Sequence, residues 1–245
     1  MFSLFSRKKN ILQTGLLEGM ADVHCHLLPG VDDGVRTEEE AMAAFRALSD
    51  MGVASFYLTP HVMEDLPMNN RSFLSEKFAM LQDMLPPGIQ VKLAAEYMLD
   101  AGFASHQKDG YLTMGDERLV LVETSYLSAP PELDGMLYDL TVSGYTPLIA
   151  HPERYIYMER ERYVSLKERG YKFQLNILSL VGFYGKQALD KSRYLLRNGL
   201  YDFAGSDFHN LGKYRRGLEH LSLSDSEQEA LRILLKNNDV IFFHK

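Results

Sequence analysis

Two histidines separated by a single residue lie in an apolar stretch near the beginning of the chain. The segment Asp22-Val23-His24-Cys25-His26 is expected to form a β-strand, in which side chains at positions i and i+2 point to the same side. Both imidazoles would then face one point, whereas a lone buried histidine is more often an ordinary core residue. Converging imidazole nitrogens are typical ligands of Zn, Mn and Fe ions. The pair therefore predicts a metal site.

Further side chains that bind metal ions follow the other apolar runs of the sequence. These are one of the adjacent pair Asp32 and Asp33, His61, Glu96, Glu123, His151, Asp207 and His209. Each of them alone could cap a helix or take part in a surface salt bridge. If the runs are parallel strands of a barrel, however, their carboxyl ends meet at the face where loops assemble active sites. We therefore expect these residues to converge with His24 and His26 and to hold two or three divalent ions, such as Mn, Fe or Zn.

Arginines accompany two of these candidate ligands. Arg154 follows His151 closely, and Arg215 and Arg216 come shortly after the Asp207 segment. Guanidinium groups pair well with phosphate oxygens, although Arg216 could equally be a solvated surface residue. Neighbouring metal ions generate a hydroxide near neutral pH and neutralise the charge of a phosphoryl group, so no nucleophilic side chain is needed. The combination predicts a metal-dependent phosphate-ester hydrolase.

The apolar runs alternate with segments of helical periodicity, which is typical of an α/β fold with a parallel sheet. The candidate strands are Asp22–Leu27, Val53–Leu58, Ile89–Ala95, Leu119–Glu123, Pro147–Ala150, Tyr171–Ile177 and Leu200–Ala204. Thr37 with Glu40 and Ser224 with Glu227 have the spacing of a capping box at a helix start. We expect the helix that begins near Ser224 to end at Asn237-Asn238, and Val240–Phe243 is a candidate for one more strand.

Composition restricts the class of protein. The 245 residues include 26 Lys and Arg against 33 Asp and Glu, a net charge of −7 that argues against binding nucleic acid. The only cysteine, Cys25, cannot form an internal disulfide, so we expect a cytoplasmic protein. No segment is long and apolar enough for stable insertion into a membrane. We predict a single domain over residues 1–245, with residues 1–18 as an N-terminal extension.

The ordered set of candidate ligands is similar to that of the polymerase-and-histidinol-phosphatase superfamily of metal-dependent phosphoesterases, and it covers most of the chain. Three segments resemble, within that superfamily, the bacterial protein-tyrosine phosphatases of capsule and exopolysaccharide systems. They are Asp22–His26 with Val31–Gly34, His151–Tyr155, and Ser206–Asn210. The resemblance implies a distorted TIM-like barrel of seven βα units with a trinuclear metal site.

The resemblance also assigns ligands to individual ions. His24, His26, Glu96 and Asp207 would hold the first ion. His61, Glu123 and His151 would hold the second, with Glu96 bridging, and Asp33 and His209 would help to bind the third. Arg154 matches a phosphate-binding arginine of the family. The second such arginine is displaced here, and Arg215 is our choice over Arg216.

The activity that this resemblance implies is hydrolysis of phosphotyrosine by a metal-bound hydroxide, with a cognate bacterial tyrosine kinase as the protein substrate. Two alternatives remain at this point. The same metal chemistry would serve a phosphomonoesterase for small molecules such as histidinol phosphate, because metal ions do not choose the leaving group. The metals could also merely stabilise a non-catalytic regulatory protein. The sequence does not reveal the native metal or the oligomeric state.

Overall fold

The computed structural model describes residues 8–243, in which short parallel strands alternate with helices. The strands are β1 (Lys9–Asn10), β2 (Ala21–Cys25), β3 (Ser55–Leu58), β4 (His61–Val62), β5 (Gln90–Leu93), β6 (Glu96–Met98), β7 (Leu119–Glu123), β8 (Thr146–Ala150), β9 (Lys172–Asn176), β10 (Phe203–Gly205) and β11 (Ser222–Leu223). The α-helices are α1 (Glu38–Asp50), α2 (Arg71–Gln82), α3 (Leu133–Val142), α4 (Arg160–Glu168), α5 (Lys186–Arg197), α6 (Leu211–His220) and α7 (Asp225–Phe243). Short 3-10 helices cover Ile11–Gln13, Phe103–Asp109, Pro152–Arg154 and Ile177–Val181.

The parallel strands follow one another in sequence order around the fold. One sheet has the order β10-β9-β8-β7-β6-β4, and a second has the order β2-β3-β5. After short breaks β3 continues into β4 and β5 continues into β6, so these strands link the two sheets. Backbone hydrogen bonds from His26 to Phe208 (2.9 Å) and from Asp207 to His24 (2.8 Å) join the first track to the last. If β3 with β4 and β5 with β6 are each counted as one track, the described residues thus form seven parallel strand tracks. Their arrangement is a distorted, barrel-like α/β fold, and the seven tracks are called the strand ring below.

An irregularity in β2 sets the direction of the histidines. The pairing of β2 with β3 shifts register between Asp22 and Cys25. Ala21 and Val23 belong to the inner apolar cluster, whereas Cys25 belongs to the larger cluster shared with the helices. Side chains alternate between the two faces of a regular strand. The register shift interrupts this alternation, so His24 and His26 can face the same interior as Ala21 and Val23.

The C-terminal segment differs from the sequence prediction. Residues Val240–Phe243 are the end of helix α7 rather than a strand, and Asn237-Asn238 does not end the helix. The Asn238 amide donates to the carbonyls of Ala21 (2.8 Å) and Ala204 (2.6 Å), so it does not compete with the helical backbone. The apolar residues Ile241 and Phe242 fill the inner cluster instead, where they pack with side chains of the strands.

The helix starts agree largely with the expected capping boxes. Ser224 and Glu227 exchange hydrogen bonds in both directions. At α1 the Thr37 hydroxyl accepts from the Glu40 amide (3.2 Å), but the Glu40 carboxylate accepts from the amide of Arg36 instead of Thr37 (2.8 Å). Both arrangements satisfy amide groups that a helix start leaves free.

The N-terminal segment is partly packed onto the fold. β1 pairs antiparallel with β11, and the side chains of Ile11, Leu16 and Leu17 are buried. Residues 1–7 of the predicted extension lie outside the described residues. Among the described residues, no helix has the length and apolar character needed to cross a membrane.

Candidate metal centre

All nine predicted metal ligands lie at or near the carboxyl ends of six strands, namely β2, β3, β5, β7, β8 and β10. β2 places His24 and, just beyond its last residue, His26; β4 and β6 begin with His61 and Glu96; β7 ends with Glu123; His151 follows β8; Asp207 and His209 follow β10; and Asp33 lies in the loop after β2. Six of them are buried, His61 and His209 are partly buried, and Asp33 is exposed. Residues that are up to 185 positions apart by number thus surround one space, because parallel strands align their carboxyl ends.

The most buried group combines two imidazoles with two carboxylates. His24 Nε2 lies 3.1 Å from Glu96 Oε2 and 3.4 Å from Asp207 Oδ1. His26 Nε2 lies 3.4 Å from each of the same two oxygens. These four residues can hold one metal ion, since their ligand atoms all lie within 4.8 Å of one another. This is the set that the family resemblance assigns to the first ion.

A second group shares Glu96 with the first. His61 Nδ1 lies 3.1 Å from Glu123 Oε1 and 3.3 Å from Glu96 Oε2, and these three residues also have the spacing of a metal site. His151 Nε2 lies 3.0 Å from the other oxygen of Glu96 and 3.9 Å from Glu123 Oε2, so it borders this group. Glu96 therefore has the position of a bridging carboxylate.

The third group lies at the open side of the centre. Asp33 Oδ1 is 3.2 Å from His209 Nε2 and 3.5 Å from His61 Nε2. His26 joins these residues in the third set with metal-site spacing, and its ring stacks on that of His209 at 3.9 Å between centroids. The Asp33 side chain is 74% exposed, which makes this the group most open to solvent.

The chemistry of the donor set fits divalent cations. His61 Nδ1 is buried without a hydrogen-bond partner although it faces two carboxylates, an arrangement that suits a nitrogen ligand. Burial opposes charge on His24, but Glu96 and Asp207 outweigh it and raise the His24 pKa to about 9. Burial also opposes charge on Glu96 and Asp207, but nearby imidazoles, beginning with His24, hold both pKa values well below the usual range. The centre thus favours positive charge between ionised carboxylates.

Two hydrogen bonds fix the direction of the buried imidazoles. His24 Nδ1 donates to the side-chain oxygen of Gln174 (2.9 Å), and His26 Nδ1 donates to Asp32 Oδ2 (2.8 Å). With the proton on Nδ1, each ring presents the lone pair of Nε2 to the centre. Asp32 also accepts from the His61 amide (3.0 Å). Burial acts to raise the Asp32 pKa, but the charge and hydrogen bond of His26, together with the Gly34 amide and His61, outweigh it and lower the pKa.

Asp32 and Gln174 are functional residues that the sequence did not assign. The sequence presents Asp32 only as one of two adjacent carboxylates, and the family resemblance assigns Asp33 to a metal ion. Gln174 lies in the middle of β9, where Gln174 and Asn176 are buried polar residues at i and i+2 that alternate with the buried apolar residues Phe173 and Leu175. Such an alternation in a strand that is buried on both sides signals polar groups facing a site.

Two ligands lie on left-handed backbone. His151 has a φ of 32° and Asp207 a φ of 49°, and both follow directly on barrel strands. His and Asp tolerate this region better than most non-glycine residues, at a cost of about 1 kcal/mol or more each. The turn redirects both side chains toward the centre at the point where the strand would otherwise carry them past it.

Arg154 lies beside the centre. Its Nη1 donates to Asp207 Oδ2 at 2.6 Å, and its side chain is 15% exposed. The guanidinium carbon is 4.3 Å from the centre of the Tyr126 ring and 4.1 Å from that of Tyr184. The same oxygen, Asp207 Oδ2, also accepts from the side-chain amide of Asn176 (2.8 Å). The guanidinium is thus fixed next to a metal-binding carboxylate.

Arg215 and Cys25 have different surroundings. Arg215 is exposed on α6 and forms no hydrogen bond or ion pair among residues 8–243, and Arg216 donates only to the carbonyl of Gly212. Cys25 is fully buried, its thiol donates to the carbonyl of Tyr57, and burial raises the pKa of the thiol well above its usual value. A protonated, buried thiol is a poor nucleophile, which argues against catalysis by Cys25.

Comparison with known proteins gives one family and several relatives. Residues 20–242 match the family described as "Capsular polysaccharide synthesis, CpsB/CapC". Tyrosine-protein phosphatase YwqE of Bacillus subtilis is 30% identical over 203 residues, which is 78% of this chain and 78% of YwqE. Tyrosine-protein phosphatase CpsB of Streptococcus pneumoniae is 28% identical over 204 residues, which is 78% of this chain and 84% of CpsB.

A solved structure supports the same relationship. It comes from work on YwqE of Bacillus subtilis and CpsB of Streptococcus pneumoniae, described there as unique metal-dependent tyrosine phosphatases. The TM-score is 0.76 at 26% sequence identity, and the match covers 91% of this chain and 94% of the other.

Proposed function

The chain belongs to the CpsB/CapC family of capsular polysaccharide synthesis, and on this premise we propose that it is a metal-dependent protein-tyrosine phosphatase. The observation that carries the proposal is the position of Glu96, which two groups of metal-binding side chains share, together with Arg154 beside it. The finer parts of the proposal are two or three divalent ions, Mn, Fe or Zn, and a cognate bacterial tyrosine kinase as the phosphorylated substrate.

The residues of the centre divide the work of phosphate-ester hydrolysis among them. We assign His24, His26, Glu96 and Asp207 to one ion, His61, Glu123 and His151 with Glu96 to a second, and Asp33 and His209 to a third. When bound, such ions lower the pKa of water to about 7 in the best-known zinc case and neutralise the charge of the phosphoryl group. Gln174 and Asp32 keep the His24 and His26 rings in the tautomer that this requires.

Arg154 binds the phosphate in this proposal. One of its nitrogens is used by Asp207, and the other edge nitrogens are free to donate to phosphoryl oxygens. Arg215 is the proposed second phosphate-binding residue, and its exposed position on α6 lets its long side chain reorient when substrate binds. Cys25 takes no part, because its thiol is buried and protonated.

The proposed activity is tested by hydrolysis of a phosphotyrosine peptide by the Mn-loaded protein. We expect His151→Ala to lower kcat/KM at least about 100-fold, since loss of a mere supporting partner of a metal ligand already costs 10–100-fold. Cys25→Ala serves as the matched control and should keep activity, which separates this chemistry from a cysteine mechanism. Equal rates for wild type and His151→Ala would contradict the proposal.

The choice of substrate is tested with the same protein. Phosphotyrosine peptide and histidinol phosphate are compared at equal concentrations, and the peptide should be hydrolysed with the larger kcat/KM. A clear preference for histidinol phosphate would replace the protein-phosphatase assignment with the small-molecule alternative. Absence of hydrolysis of either compound by metal-loaded protein would favour the non-catalytic alternative.

The cytoplasmic location stays a prediction from the sequence.

A further inference from the structure

Arg154 is held between two tyrosines that come from separate segments of the chain. Tyr126 lies after β7 and Tyr184 lies after the 3-10 helix Ile177–Val181, yet both rings are within 4.3 Å of the guanidinium carbon. Among the aromatic contacts of the described residues, none joins these two rings, so each ring contacts the guanidinium on its own. Contacts of this kind are attractive, and more so where water is excluded.

Each of the two tyrosines is also attached to the metal centre. The Tyr126 hydroxyl donates to Glu123 Oε2 at 3.4 Å. The Asn176 amide donates both to the Tyr184 hydroxyl (2.9 Å) and to Asp207 Oδ2 (2.8 Å). The two rings are therefore fixed relative to carboxylates that bind metal, and not only relative to Arg154.

This arrangement limits what the guanidinium can do. Two rings lie against the guanidinium and its Nη1 donates to Asp207, so the remaining N–H groups at its edge are the ones left for a ligand. An arginine side chain has several freely rotating bonds, and ordering them on substrate binding would weaken the binding. Here the orientation exists before any substrate arrives, because the rings and the carboxylate hold it.

We propose that Tyr126 and Tyr184 are positioning residues, which hold Arg154 with its free edge toward the phosphoryl oxygens of a phosphate monoester. The proposal rests on the proposed phosphatase function and adds to it the means by which the phosphate-binding arginine is oriented. Neither tyrosine donates a proton or attacks phosphorus. Both act through Arg154, so their effect depends on the presence of its guanidinium.

The test compares ring removal with ring retention in the metal-loaded, full-length protein. Tyr126→Leu and Tyr184→Leu should raise KM for a phosphotyrosine peptide and the inhibition constant of inorganic phosphate about three- to tenfold, which is the range for cation–ring contacts that are partly shielded from water. Tyr126→Phe and Tyr184→Phe keep the rings and should stay within about twofold of wild type. Tyr194→Leu is the control, because it removes a ring that lies 4.5 Å from Arg160, away from the centre.

A second measurement separates positioning from general damage. In an Arg154→Met background the leucine variants should cause no further loss, because there is no guanidinium left to hold. Unchanged KM and phosphate inhibition in the leucine variants would overturn the proposal, and so would an equal loss with and without Arg154. The activity of the wild-type protein is measured alongside, so a failure of the proposed phosphatase function is recognised independently of the variants.

Discussion

Neutral imidazole binds a metal ion through one ring nitrogen and needs a partner for the other. In this centre the partners of His24 and His26 are Gln174 and Asp32, which lie on β9 and in the loop after β2. Neither partner has a place in a sequence motif of metal ligands. Their contribution is to fix a tautomer, and that property appears only once distant strands are side by side.

The Gln174 interaction leads to a prediction for metal affinity. Gln174→Leu removes the acceptor of the His24 Nδ1 proton and should weaken Mn²⁺ binding about 10–100-fold. Gln174→Glu keeps an acceptor oxygen at that position and should bind Mn²⁺ with nearly the affinity of wild type. Both are measured by competition with a chelator of known affinity.

Gln107→Leu is the matched control for this experiment. Gln107 is an exposed glutamine whose side-chain amide donates to the Ser143 hydroxyl and not to a candidate metal ligand. Its loss should therefore leave Mn²⁺ affinity unchanged. If the leucine variant at Gln174 bound Mn²⁺ as tightly as wild type, the hydrogen bond to His24 would not control the ligand, and the assignment would be wrong.

The sequence predicted the ligands better than their supports for a physical reason. His24 and His26, or Asp207 and His209, are recognisable because metal chemistry demands particular residue types at strand ends. Two adjacent carboxylates in a turn are equivalent in the sequence, so only the family resemblance favours Asp33 over Asp32. In the structure Asp32 turns inward to His26, whereas Asp33 remains 74% exposed beside His61 and His209.

At the scale of elements, the strands were predictable and the end of the last helix was not. In β7 every residue before Glu123 is apolar, because both faces of a parallel strand are covered. Residues Val240–Phe243 have the same composition, but they continue α7, whose residues Ile241 and Phe242 fill the inner cluster of the ring. Composition alone does not distinguish a buried strand from the buried end of a helix.

Asn238 is the residue that fixes α7 to the ring, and it allows a prediction for stability. Its side chain accepts from the Ala204 amide (3.2 Å) and donates to carbonyls of Ala21 and Ala204. Asn238→Ala would leave these buried backbone groups without partners and should lower the free energy of unfolding by about 2–3 kcal/mol. Urea titration followed by circular dichroism measures the change.

Asn198 provides the control for that measurement. Its amide donates to the Tyr194 carbonyl at the exposed end of α5, so Asn198→Ala should change the free energy of unfolding by less than about 1 kcal/mol. Similar effects of the two substitutions would mean that the asparagine at position 238 is not what attaches α7 to β2 and β10.

At the scale of the whole molecule, the metal centre draws on nearly every strand of the ring. The larger apolar cluster also spans much of the chain, from Ile11 to Leu235. The centre adds to this apolar core a polar one at the carboxyl ends, where five carboxylates approach one another in a protein of net charge −7. Cations bound there relieve carboxylate repulsion and connect strands that are distant in sequence.

Metal binding should therefore raise the stability of the folded protein without being required for folding. A ligand present at 100 times its dissociation constant stabilises the native state by about 2.7 kcal/mol. For a chain of this size each kcal/mol shifts Tm by about 2–4 °C, so adding Mn²⁺ to the chelated protein should raise Tm by roughly 5–10 °C. The two apolar clusters lie apart from the ligands and should keep the chelated protein folded.

Two variants give this last prediction its contrast. Glu96→Gln removes the charge of the carboxylate that two ligand groups share, and it should abolish most of the Mn²⁺-dependent rise in Tm. Glu229→Gln neutralises an exposed carboxylate paired with Arg232 on α7 and should leave the rise intact. Far-UV circular dichroism of the chelated wild type should retain its helical signal, because the strands and helices are packed by apolar side chains. Loss of that signal on chelation would instead assign the metals to folding, and an equal rise in Tm for both variants would mean that Mn²⁺ stabilises the protein from some other place.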